Sequence, residues 1–150
     1  MSRRVEFSRR IKLLVLIAAV CGGCGGGDEQ LKKRGSVTGM VTFDGQPLAT
    51  GRITFTAKGK EGGVTGAEIE NGVYEIPREK GPVAGSHQVS ITSPQKTGQQ
   101  IPAVMPAKEG TMIDVVVESI PDKYNTRTTL TAEIKAGENL AVNFDLKKDL

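Results

Sequence analysis

From Ser36 onward the apolar and polar residues alternate with a period of two, which is the pattern of strands with one buried face. In SVTGMVTF, residues 36 to 43, Val37, Val41 and Phe43 share one parity, and Thr38 and Thr42 take the other. RITFTA, residues 52 to 57, sets Ile53, Phe55 and Ala57 against Arg52, Thr54 and Thr56. HQVSITS, residues 87 to 93, puts His87, Val89 and Ile91 on one side, and TLTAEI, residues 129 to 134, points Leu130, Ala132 and Ile134 inward. LAVNFDL, residues 140 to 146, is expected to carry Leu140, Val142, Phe144 and Leu146 on a single face. IDVVV, residues 113 to 117, is a short β-prone run, and no stretch has a convincing helical period.

Turn chemistry fits between these runs. In AEIENGVYEIP, Asn71 and Gly72 both tolerate positive φ, as a two-residue type I′ hairpin requires. That register pairs Glu70 with Val73, Ile69 with Tyr74 and Ala67 with Ile76, so the apolar residues of both arms share a face. Pro77 ends the second arm or marks an edge. DGQPLATG, residues 44 to 51, and KAGEN, residues 135 to 139, read as turns, and the Pro, Gln and Gly of residues 94 to 111 predict a loop. About seven short strands at roughly 8 to 12 residue spacing predict an all-β, Ig-like antiparallel β-sandwich over residues 36 to 150.

The first residues follow a different logic. MSRRVEFSRRIK is basic, LLVLIAAV is a short apolar run, and small residues follow, which are the three regions of a secretory signal peptide. The apolar run is too short to cross a bilayer core, which needs about 20 residues. Twin arginines occur in SRRVEF and SRRIKL, but neither stretch follows the folded-export signal closely, and general secretion is the expectation. The sequence CGGCGGGDEQ after the apolar run resembles a bacterial lipobox, which implies lipidation of Cys24, preceded by the small Gly23; Cys21, preceded by Val20, is the alternative. The resemblance implies a signal peptide over residues 1 to 23 and a lipid-anchored flexible tether over residues 24 to 35, GGGDEQLKKRG being glycine-rich and without periodicity.

Composition narrows the function classes. Lys and Arg number 20 against 17 Asp and Glu, a net +3, but Arg3, Arg4, Arg9, Arg10 and Lys12 sit in the leader with Glu6 alone opposing them. The remaining 15 basic and 16 acidic residues leave residues 25 to 150 slightly negative, so no nucleic-acid partner is expected. Aromatics are 4% with no Trp, which argues against a stacking platform for bases or sugars. With two cysteines and one histidine, a zinc site has too few ligands, and neither metal nor other cofactor is expected.

GMVTFDGQPLATGRITFTA, then ENGVYEIP, GSHQVSITS and KAGENLAVNFDL, resemble the carboxypeptidase regulatory-like domains, small transthyretin-like sandwiches of about seven strands. Asp44, Gly45, Pro47 and Leu48 match that family's first turn, while His87 stands where the family commonly has an aromatic residue. With the lipobox, the tether and IPDKYN, the chain is similar to small envelope lipoproteins of planctomycete-type bacteria. The resemblance implies a place and a fold, and in the parent enzymes this domain is not the catalytic part.

Candidate chemistry is sparse. His87 shares parity with Val89 and Ile91 and reads as a packed or edge histidine, with no adjacent acid or nucleophile motif to make a hydrolase, so no catalytic residue is assigned. Asp114, Glu118 and Asp122 recur at spacing four, but the apolar residues between them suit solvated acids better than a calcium loop. Lys123, Tyr124 and Asn125 could line a recognition surface in a loop, or Tyr124 could cap the sandwich edge while Asn125 starts a turn. The expectation is an exported, non-enzymatic, lipid-anchored envelope module, on the inner or the outer membrane, whose loops or edge strands meet another protein or a polysaccharide. A weak carbohydrate-binding module and a small secreted hydrolase are the alternatives.

Overall fold

A computed structural model describes residues 31, 33–59, 63–104 and 108–148. The expected leader, with Cys21 and Cys24, and most of the expected tether lie outside the described residues. The fold is the all-β, mainly antiparallel sandwich that the alternation predicts, with eleven strands among the described residues. They are β1 (Gly35–Phe43), β2 (Gln46–Pro47), β3 (Thr50–Ala57), β4 (Val64–Glu70), β5 (Val73–Ile76), β6 (Gly85–Thr92), β7 (Pro94–Pro102), β8 (Met112–Glu118), β9 (Thr131–Ile134), β10 (Gly137–Asn139) and β11 (Phe144–Leu146).

One layer is the run β4, β3, β6, β9; the other is built on β1, with β5 on one side and β10 and β11 on the other, and β2 folding back on its end. Inward residues of both layers form one core. Val37, Val41, Ile53, Ile69, Val89 and Ile91 are all buried, and Phe55 sits among Tyr74, His87 and Phe144 with ring centroids 6.2, 6.4 and 6.5 Å away. These tilted and edge contacts are the arrangements that aromatic quadrupoles favour. Hydrogen bonding to the body begins ahead of Ser36, since Gly35 N–H donates to Pro82 O (2.9 Å) and Ala84 N–H to Lys33 O (2.8 Å).

Three expectations need correction. The Asn71-Gly72 turn forms with both φ positive, at 51° and 82°, but only Glu70 and Val73 pair across it. Ile69 and Ala67 pair with Gly51 and Ile53 of β3, while Tyr74 and Ile76 pair with Gly39 and Val37 of β1. Longer ladders on β3 and β1 outcompete the local hairpin, and the turn becomes a corner between layers, tied by Asn71 N–H to Ala49 O (2.8 Å) and Gly72 N–H to Leu48 O (2.7 Å).

The last predicted strand is broken. Leu140 is 71% exposed, although Phe144 and Leu146 are buried as expected. Ala141 has φ 57°, which ends any extended run, so β10 pairs parallel with Gly35 to Val37 and β11 with Val41 to Phe43. Side chain and backbone fill the gap between them: Met40 N–H donates to Asn143 Oδ1 (2.8 Å) and Val142 N–H to Thr38 O (3.0 Å). The KAGEN turn likewise contains β10. Third, residues 94 to 111 are not a loop throughout, because Pro94–Pro102 is a nine-residue strand paired with β8.

The Val142 segment crosses β1 at Gly39, where a Cβ would lie 2.0 Å from Val142 O and 3.0 Å from the Tyr74 ring. Tyr74 Oη donates to that same carbonyl (2.6 Å), and burial pushes its phenol above the ordinary tyrosine value. Tyr74→Phe therefore loses one buried hydrogen bond, and its chemical-denaturation midpoint is expected to fall by the equivalent of about 1 kcal/mol. Gly39→Ala is expected to cost more, because backbone must move. The raised phenol value favours the neutral folded form, so stability is whole below the ordinary tyrosine value, about pH 10, and declines as pH rises above it. Tyr74→Phe should remove Tyr74's share of that alkaline decline in a pH series of thermal melts.

Candidate interaction surface

The residues singled out from sequence fall in three places. His87 is buried, with Nδ1 3.0 Å from Gly85 O and its ring edge-on to Phe55, so it is a packed core histidine facing Ala132 across the ladder. Lys123 and Tyr124 lie in a 3-10 turn, Asp122–Tyr124, with Lys123 Nζ 5.0 Å from the Tyr124 ring centroid. Tyr124 packs on the core and its hydroxyl accepts from Lys147 N–H (2.9 Å), while Asn125 is buried and donates through Nδ2 to Ile120 O (2.9 Å). The turn thus ties the C-terminal strand region to the β8 exit. Lipidation at Cys24 or Cys21 concerns residues outside those described.

Asp114, Glu118 and Asp122 do not converge: among the described residues no group of three or more His, Cys, Asp and Glu is placed to hold a metal. Asp122 meets Arg127 at 3.5 Å, and the other two acids organise a β-arm made of β7 and β8. A hollow of about 300 Å³ at Arg34, Thr65, Glu79 and Lys80 brings together no histidine or cysteine, and Arg34 is already committed to Gly81 O (2.6 Å).

The arm stands out because so little of it is buried. All nine residues of β7 are exposed, and among the described residues β7 and β8 pair only with each other. Its base is a knot of hydrogen bonds, most of them between side chain and backbone, around buried Ser93. Glu118 Oε1 accepts from Ser93 N–H (2.7 Å) and Ile120 N–H (2.9 Å), Ser119 N–H and Oγ donate to Ser93 O (3.2 and 2.8 Å), and Ser93 Oγ donates to Thr50 O (2.6 Å). Midway, Lys96 Nζ meets Asp114 at 2.6 Å, and Gln100 Nε2 donates to the same carboxylate (3.0 Å). A bulge between Lys96 and Gln100, with Gly98 at φ 80°, is closed by Thr97 Oγ1 donating to Val115 O (3.1 Å).

Register sorts the two faces of the arm. Gln95, Ile101, Ile113, Val115 and Val117 share one face, which is almost wholly aliphatic. Lys96, Gln100, Asp114 and Glu118 share the other with Met112 and Val116. Ile101, Ile113 and Val117 are each about half exposed. Apolar side chains contiguous on an exposed ribbon differ from singly scattered ones and make this face a candidate contact surface.

The edges differ as well. Ala103 N–H to Thr111 O (2.8 Å) at the tip and Ser119 N–H to Ser93 O at the base fix which residues bond inward. Alternation then turns the backbone groups of residues 94, 96, 100 and 102 outward on β7, and those of 112, 114, 116 and 118 outward on β8. Pro94 and Pro102 have no N–H to offer, so the β7 edge is blunted at both ends, whereas β8 presents a full row of donors and acceptors. Sequence reasoning missed β7; its signal was the run IDVVV, whose consecutive β-branched residues need a mate.

No family model matches the chain, and neither a curated protein nor a solved structure matches it.

Two outcomes test this geometry. Lys96 first by hydrogen bond, then Gln100, holds the Asp114 carboxyl below the ordinary aspartate range, and Asp114 in turn raises Lys96. An NMR titration of Asp114 should give a midpoint below the usual value, which Lys96→Met moves upward. The pair's contribution is present above the ordinary aspartate value, is lost as pH falls through the depressed one, and on the lysine side is lost only above the ordinary lysine value. Glu118→Ala removes two acceptor bonds at the base, and amide exchange in β7 and β8 should accelerate about tenfold with the sandwich core unchanged.

Proposed function

We propose that this chain is an exported, lipid-anchored envelope module of the carboxypeptidase regulatory-like kind, without catalytic activity, which docks on another envelope component through the β7–β8 arm. The observation that carries the reading is the arm: an exposed two-stranded ribbon with an aliphatic face and, along β8, a strand edge with a full row of outward donors and acceptors. Strand addition supplies affinity through backbone bonds, and alternate side chains supply selectivity. The basic, apolar and small regions of the N-terminus support export, and Gly23-Cys24 supports lipidation. No helix among the described residues is long and apolar enough to cross a membrane. Multiple acyl chains on one cysteine would suffice for stable attachment, where a single chain binds reversibly.

Intact mass spectrometry of the protein extracted from its host's membranes is expected to give a chain starting at Cys24 plus several acyl groups. A soluble, unmodified chain overturns the anchor. For docking, Val115→Thr with Val117→Thr keeps strand propensity but removes aliphatic surface; crosslinked species formed in the envelope should fall several-fold while the melting temperature holds. Unchanged crosslinking overturns the arm as the docking element.

A further inference from the structure

A two-stranded ribbon is marginal in water by itself, and three or more strands, or packing on another layer, are needed for independent stability. Among the described residues β7 and β8 have neither a third strand nor a covering layer, since they pair only with each other and β7 is exposed throughout. The missing strand must be added at β8, because Pro94 and Pro102 remove outward donors from β7 and the bulge bends it, whereas β8 runs seven residues without an irregularity of its own.

The sequence of β8, MIDVVVE, also restricts what can be added. Antiparallel pairing of β8 with another β8 about a two-fold axis has three central registers that join its outward backbone groups. Centring on Asp114 sets that aspartate opposite its own copy. Centring on Val116 sets Asp114 opposite Glu118. Like charges directly opposite destabilise a strand pair; the first register incurs this once, on the axis, and the second twice by symmetry. Centring on Val115 has no such opposition. Asp114 then faces Val116 of the second copy, Met112 faces Glu118, Ile113 faces Val117, and Val115 faces Val115.

We propose that the arm's partner is a second copy of this chain, with β8 pairing antiparallel to β8 about Val115 to make a four-stranded sheet; this rests on the reading of the arm as the docking element. The two strands exchange about eight backbone hydrogen bonds, using residues 112, 114, 116 and 118 of each. On one face the aliphatic side chains of both arms become continuous, with Ile113 against Val117 and the two Val115 side chains in contact at the axis. On the other face Asp114 keeps its own Lys96 and Gln100, so neither copy must break an ion pair to associate. Glu118 stays turned to Ser93 and Ile120 at the arm base, which leaves it compatible with Met112 opposite. A second copy therefore meets the edge with matched aliphatic positions and no acid facing acid.

The test is disulfide trapping of the full chain in its host's envelope, with the wild-type chain as control for Cys21 and Cys24. Val115→Cys places two sulfurs across a non-hydrogen-bonded pair, where Cα atoms lie about 4.5 Å apart, within disulfide range. Mild oxidation is expected to give a species of twice the chain mass. Ile113→Cys or Val117→Cys alone should give little, because identical residues are then about 13 Å apart along the strands, while coexpression of the two restores the crosslink. Sedimentation of the detergent-extracted protein adds a charge test that a nonspecific apolar contact would not pass. Val116→Asp, facing Asp114, should weaken the dimer about tenfold, and Val116→Lys at the same position should tighten it severalfold. Val116 is exposed, and unchanged melting curves of both variants exclude misfolding as the cause.

Absence of the Val115→Cys crosslink together with a monomeric wild-type chain overturns the proposal. If a photo-crosslinker on β8 then captures a different envelope component, self-pairing falls and the arm remains a docking element; if it captures none, both fall. Equal responses to Val116→Asp and Val116→Lys overturn the register.

Discussion

At Gly39 the central strand of one layer carries no side chain, and the space is filled by the Val142 carbonyl and the Tyr74 ring. Tyr74 pairs with Gly39 across the ladder and reaches over it to donate to Val142 O, so three distant parts of the chain meet at one point. The last segment can approach β1 this closely only because a Cβ is missing there. It leaves the ladder as β10, passes over the glycine with Ala141 in the left-handed region, and rejoins as β11. Asn143 and Asn139 supply from their side chains the bonds that an unbroken strand would have supplied from its backbone, Asn139 Nδ2 donating to Ser36 O (3.0 Å) and Lys135 O (2.8 Å). The second layer, and with it the closure of the core, depends on this crossing.

Burial explains which parts of the fold could be read from the chain. β1, β3 and β6 have one face in the core, so selection of apolar residues at every second position left a visible pattern, down to His87 packing beside Phe55. The Asn71-Gly72 turn was legible because positive φ at two successive positions demands particular residues. The partners of the strands it joins were not legible. A turn specifies two residues, whereas the choice between a local mate and a distant ladder is settled by the assembled sheets. Leu140 was misplaced for a related reason: alternation runs through it, but nothing about an alanine announces the conformation that Ala141 adopts.

The same rule accounts for the candidate surface. β7 has no buried residue, hence no periodic constraint, and its Pro, Gln and Gly content is that of a loop. Only its mate carried a strand signal, in the aliphatic run from Ile113 to Val117. Asp114 and Glu118 were visible as acids at regular spacing, yet spacing along one strand says nothing of the Lys96 or Ser93 groups brought from the other. The Lys123 to Asn125 stretch drew attention as a polar cluster with an aromatic residue, and part of that polarity is spent inside the protein, on Ile120 and Lys147.

Two prolines give the arm a property of a different order. Growth of a cross-β fibre needs every added chain to expose a fresh, competent side after it has joined. Pro94 and Pro102 blunt the β7 side of the arm, so an arm that joined another through β8 would keep no second side of equal competence for a third chain. The placement of two imino acids thus opposes filament growth from an aliphatic, strand-forming element that the chain carries in the open.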